Sequence, residues 1–126
     1  MARILVVDDE DVIRRLLSGY LGYRGHTVAT AENGEQGFAI IQAGNVDLVI
    51  SDLQMPVMNG ATMLIAANFP RAILASGKFG WLETDAERVA EFPVLASLIG
   101  RCVFLAKPFN WDMLMDAVNR ILADPQ

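Results

Sequence analysis

The sequence predicts one α/β domain, a doubly wound parallel sheet of five strands with helices on both faces. Two observations predict it. Five short aliphatic runs alternate with longer segments of helical spacing, and right-handed crossovers between parallel strands place those helices on the two faces of the sheet. The 126 residues are also 53% hydrophobic and 20% charged, enough apolar material for an independent core.

The first run, Arg3-Ile4-Leu5-Val6-Val7, is continuous, as expected of a strand buried on both faces. It ends abruptly in Asp8-Asp9-Glu10-Asp11. Ile13, Leu16, Leu17, Tyr20 and Leu21 then recur on one helical face, and that helix stops near Gly22 and Gly25. Thr27-Val28-Ala29-Thr30 predicts the second strand. Asn33 with Gln36 reads as a helix cap with a reach-back partner, and Phe38 and Ile41 line the helix that follows up to Gly44. Asp47-Leu48-Val49-Ile50-Ser51 predicts a third strand ending at Asp52, and after a Met-Pro loop Gly60 precedes a short helical run. Ala72-Ile73-Leu74-Ala75 predicts a fourth strand ending at Ser76. Residues 77–100 are the least regular: Thr84 and Glu87 form a capping pattern, but Pro93 forbids a long helix. Cys102-Val103-Phe104-Leu105 predicts the fifth strand, followed by Lys107-Pro108. A cap at Asn110 opens a last helix lined by Leu114, Ala117, Val118, Ile121 and Leu122. No linker or second domain is predicted, so residues 1–126 read as one unit.

Fifteen acidic residues against ten scattered Lys and Arg give a net charge of −5, which argues against a nucleic-acid phosphate track. The single cysteine, Cys102, excludes an internal disulfide and a cysteine-built zinc site. No apolar run is long enough for a membrane span, and no signal-peptide pattern opens the chain. A cytoplasmic protein with no membrane partner is expected.

Ligands of such folds bind beyond the carboxyl ends of the strands. There the sequence puts Asp8 and Asp9, Asp52, Ser76 and Lys107. Three carboxylates at one rim need a counter-charge, and an all-oxygen cluster selects a hard cation such as Mg²⁺. With a lysine and a hydroxyl added, the parts match phosphoryl transfer. Asp52 is the natural nucleophile, Asp9 a direct metal ligand, and Asp8 a ligand directly or through water. Ser76 and Lys107 would each contact a phosphoryl oxygen.

Four segments carry a family resemblance: Ile4-Leu5-Val6-Val7-Asp8-Asp9-Glu10, Asp52-Leu53-Gln54-Met55-Pro56-Val57-Met58-Asn59-Gly60, Ala75-Ser76-Gly77 and Leu105-Ala106-Lys107-Pro108-Phe109. With these motifs at strand ends, the chain resembles a response regulator receiver domain of two-component signalling over essentially its whole length. The resemblance implies a flavodoxin-like sheet of order 2-1-3-4-5, a backbone carbonyl of Gln54 on the metal, and a cis bond before Pro108. Ser76 and Phe104 match the family's switch pair, although Phe104 lacks the hydroxyl the family aromatic often carries. The implied function is a phosphorylatable switch rather than an enzyme. Its donor would be a sensor histidine kinase or histidine phosphotransfer protein, and its output contact with a downstream protein.

Two spacings depart from the family. Asp52 to Ser76 spans 24 positions, fewer than usual, and Ser76 to Lys107 spans 31, more than usual. A clipped third helix and an atypical region between strands four and five are expected. Phe79, Trp81, Phe92, Phe104, Phe109 and Trp111 all fall in the final third of the chain, which predicts a partner-facing surface of residues 77–100 with strand five and the last helix. Gly77 and Gly80 after Ser76 predict a mobile, partly non-helical stretch there. The competing reading is that these rings patch a core left short by the clipped helix. Among other functions, a receiver-like module that binds partners without phosphorylation is opposed by the intact set of five polar residues. A hydrolase of similar topology lacks room for a cap, and a flavin site would be repelled by the Asp8–Asp11 run.

Overall fold

The computed structural model describes residues 1–69 and 71–123. Five parallel strands, β1 (Arg3–Val7), β2 (Thr27–Ala31), β3 (Leu48–Asp52), β4 (Ala72–Ser76) and β5 (Val103–Ala106), form one sheet of order β2-β1-β3-β4-β5. The flavodoxin-like topology is therefore as the resemblance implied. Between the strands run α1 (Asp11–Tyr23), α2 (Gly34–Ala43), α3 (Gly60–Ala67) and α4 (Asp85–Glu91), and α5 (Trp111–Ala123) follows β5.

Strand alternation divides the core into two layers. Leu5, Val7, Val49 and Leu74 face α2, α3 and the segment after β4, while Ile4, Val6, Leu48, Ile50 and Ile73 face α1 and α5. This is the two-sided burial that continuous aliphatic runs announce. Local caps hold the helix starts: Asn33 accepts from Gln36 N, Asn59 from Thr62 N and Asn110 from Met113 N. The reach-back from Gln36 lands on the backbone of Glu32, one residue before the cap.

The third helix is indeed short, with 8 residues, and Asn68 ends it in the left-handed region at φ 52°. Segment 77–100 is the atypical part. A 3₁₀ turn (Gly77–Gly80) leads to a seven-residue α4 with the Thr84–Glu87 capping box, and a second 3₁₀ stretch (Pro93–Leu98) begins at the proline that stops α4. Phe79, Leu82, Leu95 and Leu98 are buried in the same layer as α3, where the Pro93–Leu98 stretch packs against that helix.

The aromatic residues do not form one surface. Phe79 meets Phe92 and Phe104 edge-on at 6.3 and 5.5 Å. Phe109 packs in the opposite layer, where Trp111 stacks on Tyr20 at 4.2 Å, and Trp81 is exposed. Packing, rather than a continuous partner-facing patch, accounts for most of them. Leu95→Ala should therefore cost about 2–4 kcal/mol in urea denaturation, as for a core leucine. A loss below about 1 kcal/mol would return the segment to a surface role.

Candidate functional site

The three middle strands of the sheet, β1, β3 and β4, bring their carboxyl ends to one rim. Register sets the levels: Val7 pairs with Ser51, and Asp52 pairs with Ala75, so Ser76 lies one step beyond Asp52 on the neighbouring strand. Lys107, just past β5, donates its backbone N–H to the Ser76 carbonyl at 3.0 Å, which ties the β5–α5 loop to the same rim.

Asp8, Asp9 and Asp52 converge, with one carboxylate oxygen of each within 4.8 Å of the others. Asp8 is buried, Asp52 half-buried and Asp9 exposed. Lys107 Nζ donates to Asp8 Oδ2 at 3.1 Å and lies 3.6 Å from Asp52 Oδ1. The other Asp8 oxygen accepts from the Glu10 backbone N–H at 2.9 Å.

These neighbours set the charge state. Burial pushes the Asp52 carboxyl from 3.8 up to about 6. The Lys107 ammonium opposes that rise, the carboxylates of Asp8 and Asp9 reinforce it, and a hydrogen bond from the Gln54 backbone lowers it slightly. For Lys107, burial alone would lower the pKa, but the carboxylates of Asp52, Asp8 and Glu10 outweigh it and hold the ammonium above its ordinary value. Three carboxylates against one ammonium leave the rim net negative, the physical state that a divalent cation relieves. The donor set is all oxygen, without His or Cys, so the residues fit Mg²⁺.

Ser76 is buried at the end of β4, where its hydroxyl accepts from the Lys78 N–H at 3.1 Å and lies 3.5 Å from Gln54 Oε1. Phe104 is half-buried on β5, against the Phe79 ring edge, with the Arg88 guanidinium 5.6 Å from its ring centroid. The Lys107–Pro108 peptide is cis. His26, between α1 and β2, accepts the Ala2 N–H at 3.1 Å, next to the start of β1.

A family model for the response regulator receiver domain matches residues 4–68. The chain belongs to the response regulator receiver domain family. The matched span contains Asp8, Asp9 and Asp52 and stops before β4, where the spacing departs. Protein PilH of Pseudomonas aeruginosa is 30% identical, over 98% of this chain and 99% of that protein. The autoinducer 1 sensor kinase/phosphatase LuxN of Vibrio harveyi is 40% identical over 65% of this chain, which corresponds to 10% of LuxN. The receiver domain also shares its fold with response regulator protein TrrA from Thermotoga maritima, solved in complex with Mg(2+)-BeF. The TM-score is 0.76 and the identity 32%, over 97% of this chain and 100% of that one. Receiver domains are signalling switches of two-component systems rather than classical enzymes, and they receive phosphoryl groups from sensor kinases. No helix among the described residues is long and apolar enough to cross a membrane.

Two residues of this receiver site escaped the reading from sequence. Arg14 sits beneath the Asp8–Asp9 turn, with Nη1 donating to the Asp8 carbonyl at 2.6 Å. Its only sequence signal is position, one residue among ten scattered basic ones. Gly60, read as a helix start and as the end of one motif segment but given no role at the rim, carries its α-carbon against the Asp52 backbone and the Ser51 hydroxyl.

Proposed function

We propose that this receiver domain accepts a phosphoryl group on Asp52 in a Mg²⁺-dependent reaction and signals by protein contact. The observation that carries the reading is the half-buried Asp52 carboxyl, held between two acidic neighbours and the Lys107 ammonium. Its pKa near 6 leaves it mostly ionised at neutral pH and therefore nucleophilic. An Asp52 oxygen attacks phosphorus and forms an O–P bond. The P–N bond to a donor imidazole breaks, and its electron pair stays on nitrogen, which takes a proton from solvent. The donor is a sensor histidine kinase or a histidine phosphotransfer protein.

Asp8, Asp9, Asp52 and the Gln54 backbone carbonyl would hold the cation. When bound, Mg²⁺ supplies positive charge to the phosphoryl oxygens. Ser76 donates its hydroxyl to one of those oxygens and Lys107 forms an ion pair with another. Phe104 then repacks against Phe79 and Arg88, and that change, read without an aromatic hydroxyl, reaches a downstream protein. The setting is cytoplasmic, with neither nucleic acid nor membrane as partner of this domain. Intact-mass spectrometry after incubation with acetyl phosphate, with and without Mg²⁺, tests the reading. Metal-dependent single addition is expected, and no addition in either condition favours a binding module that never takes phosphate.

Lys107→Ala separates the lysine's role from the cation's. Removing an ammonium beside a cation site leaves Mg²⁺ bound at least as tightly, by simple Coulomb attraction. The metal-free protein loses roughly 2 kcal/mol of stability, because Asp8 and Asp52 lose their counter-charge. Calorimetric titration with MgCl₂ reads the affinity, and a large loss of affinity would overturn the assignment of Lys107 to the phosphoryl group.

A further inference from the structure

Asp8 has a partner at each of its polar atoms. Its N–H donates to the Ala31 carbonyl at 3.1 Å, Oδ1 accepts from Glu10 N, and Oδ2 accepts from Lys107 Nζ. The remaining atom, its backbone carbonyl, accepts from Arg14 Nη1 at 2.6 Å. The Arg14 side chain is only 14% exposed, and its guanidinium is itself steadied on α1 by Asp11 at 3.1 Å.

A peptide is planar, so the Asp8 carbonyl and the Asp9 N–H turn as one rigid plate. Fixing the carbonyl oxygen fixes the plate, and with it the direction in which the Asp9 side chain leaves the chain. Asp9 is exposed, so little packing restrains it from outside. Arg14 suits this task because its guanidinium is planar and can serve two acceptors at once in a fixed fork.

We infer that Arg14 is a positioning residue for the metal: by clamping the Asp8–Asp9 peptide from α1, it holds the Asp9 carboxylate where it converges with Asp8 and Asp52. The inference rests on the reading that this acidic rim binds Mg²⁺, and it adds a residue that touches neither the cation nor the phosphoryl group.

The sign of the effect separates this role from a purely electrostatic one. Arg14 is a cation near a cation site, so by charge alone its removal tightens Mg²⁺ binding. A lost clamp weakens it. Arg15 supplies the control, since it pairs with the same Asp11 at 3.1 Å but is 74% exposed.

Mg²⁺ affinity is read by calorimetry, and Mn²⁺ uptake by electron paramagnetic resonance, on the full chain. Arg14→Gln is expected to bind roughly ten-fold more weakly, as when a group behind a metal ligand is removed. Arg14→Lys keeps the charge without the fork and is expected to weaken binding in the same direction, while Arg15→Gln leaves it unchanged. Labelling of Arg14→Gln by acetyl phosphate recovers to the wild-type extent once Mg²⁺ saturates. If Arg14→Gln does not fold, the Arg14→Lys titration decides. Affinity equal to or tighter than wild type in the Arg14 variants overturns the clamp, as does labelling that saturating Mg²⁺ fails to recover. A wild-type protein that takes up neither metal overturns the metal reading itself, a distinguishable result.

Discussion

Asp52→Asn is expected to lose all Mg²⁺-dependent phosphoryl labelling while becoming more stable than the wild type when metal is absent. The amide keeps the shape of the side chain but has no nucleophilic oxygen of the required charge. The gain in stability follows from the raised carboxyl. In the unfolded chain Asp52 ionises near 3.8, whereas in the folded rim burial, aided by Asp8 and Asp9, holds it to about 6. Between those values the folded wild type binds a proton that the unfolded chain has lost, so wild-type stability falls as pH rises through this window. A rise from 3.8 to about 6 corresponds to at most roughly 3 kcal/mol. Solvent on the open side of the half-buried rim screens the charge and reduces this to about 1–2 kcal/mol. Asp52→Asn should therefore melt about 3–8 °C above the wild type at pH 7 without metal, and at nearly the same temperature at pH 4. Saturating Mg²⁺ reverses the order, because it stabilises the form that retains the carboxylate ligand. Equal labelling of Asp52→Asn and wild type would sink the assignment, and a pH-independent gap in melting temperature would sink the charge argument.

Gly60→Ala is expected to be the most damaging single methyl that can be added near the site. The new Cβ would run into the Asp52 backbone oxygen, with Ser51 Oγ at 2.6 Å and Leu74 Cδ2 at 2.9 Å. Only the leucine tip can yield. The Gly60 N–H is already bonded to the Leu53 carbonyl at 2.9 Å, so α3 cannot retreat without breaking that bond. A loss of about 3 kcal/mol or more follows, at the upper end for an overpacked core. Because the clash bears on the Asp52 backbone, the fraction that remains folded should also label more slowly with acetyl phosphate. Urea denaturation gives the first quantity and intact mass the second. A stability change under about 0.5 kcal/mol would mean that α3 shifts freely, and the close approach would then have no consequence.

Several features of this receiver domain were legible from residue order because they depend on neighbours in the chain. Continuous aliphatic runs report burial of the strands, and polar residues that end such runs report their carboxyl ends. Asp8, Asp9, Asp52, Ser76 and Lys107 were singled out that way, and they lie at one rim. The Thr84–Glu87 box and the break at Pro93 are equally local, and both are present. Strand ends were placed less sharply. The third strand ends at Asp52 as read but starts at Leu48 rather than Asp47, and the fifth spans Val103–Ala106 rather than Cys102–Leu105. The aromatic residues of the final third looked like one patch because sequence proximity carries no information about which face of the sheet each ring meets.

What residue order determined by itself was which polar groups end the strands and the parallel sheet that presents them, both written in short-range patterns. Tertiary structure alone decided how the rim is held. The Lys107–Asp8 pair joins residues 99 apart, and the raised Asp52 carboxyl depends on burial and on charges from two other strands' ends. The Arg14 clamp depends on the angle at which α1 crosses the end of β1, and the tight seat of Gly60 on the separation between α3 and β3. Such quantities arise from distances between segments far apart in sequence, and Coulomb and packing energies change steeply over those distances.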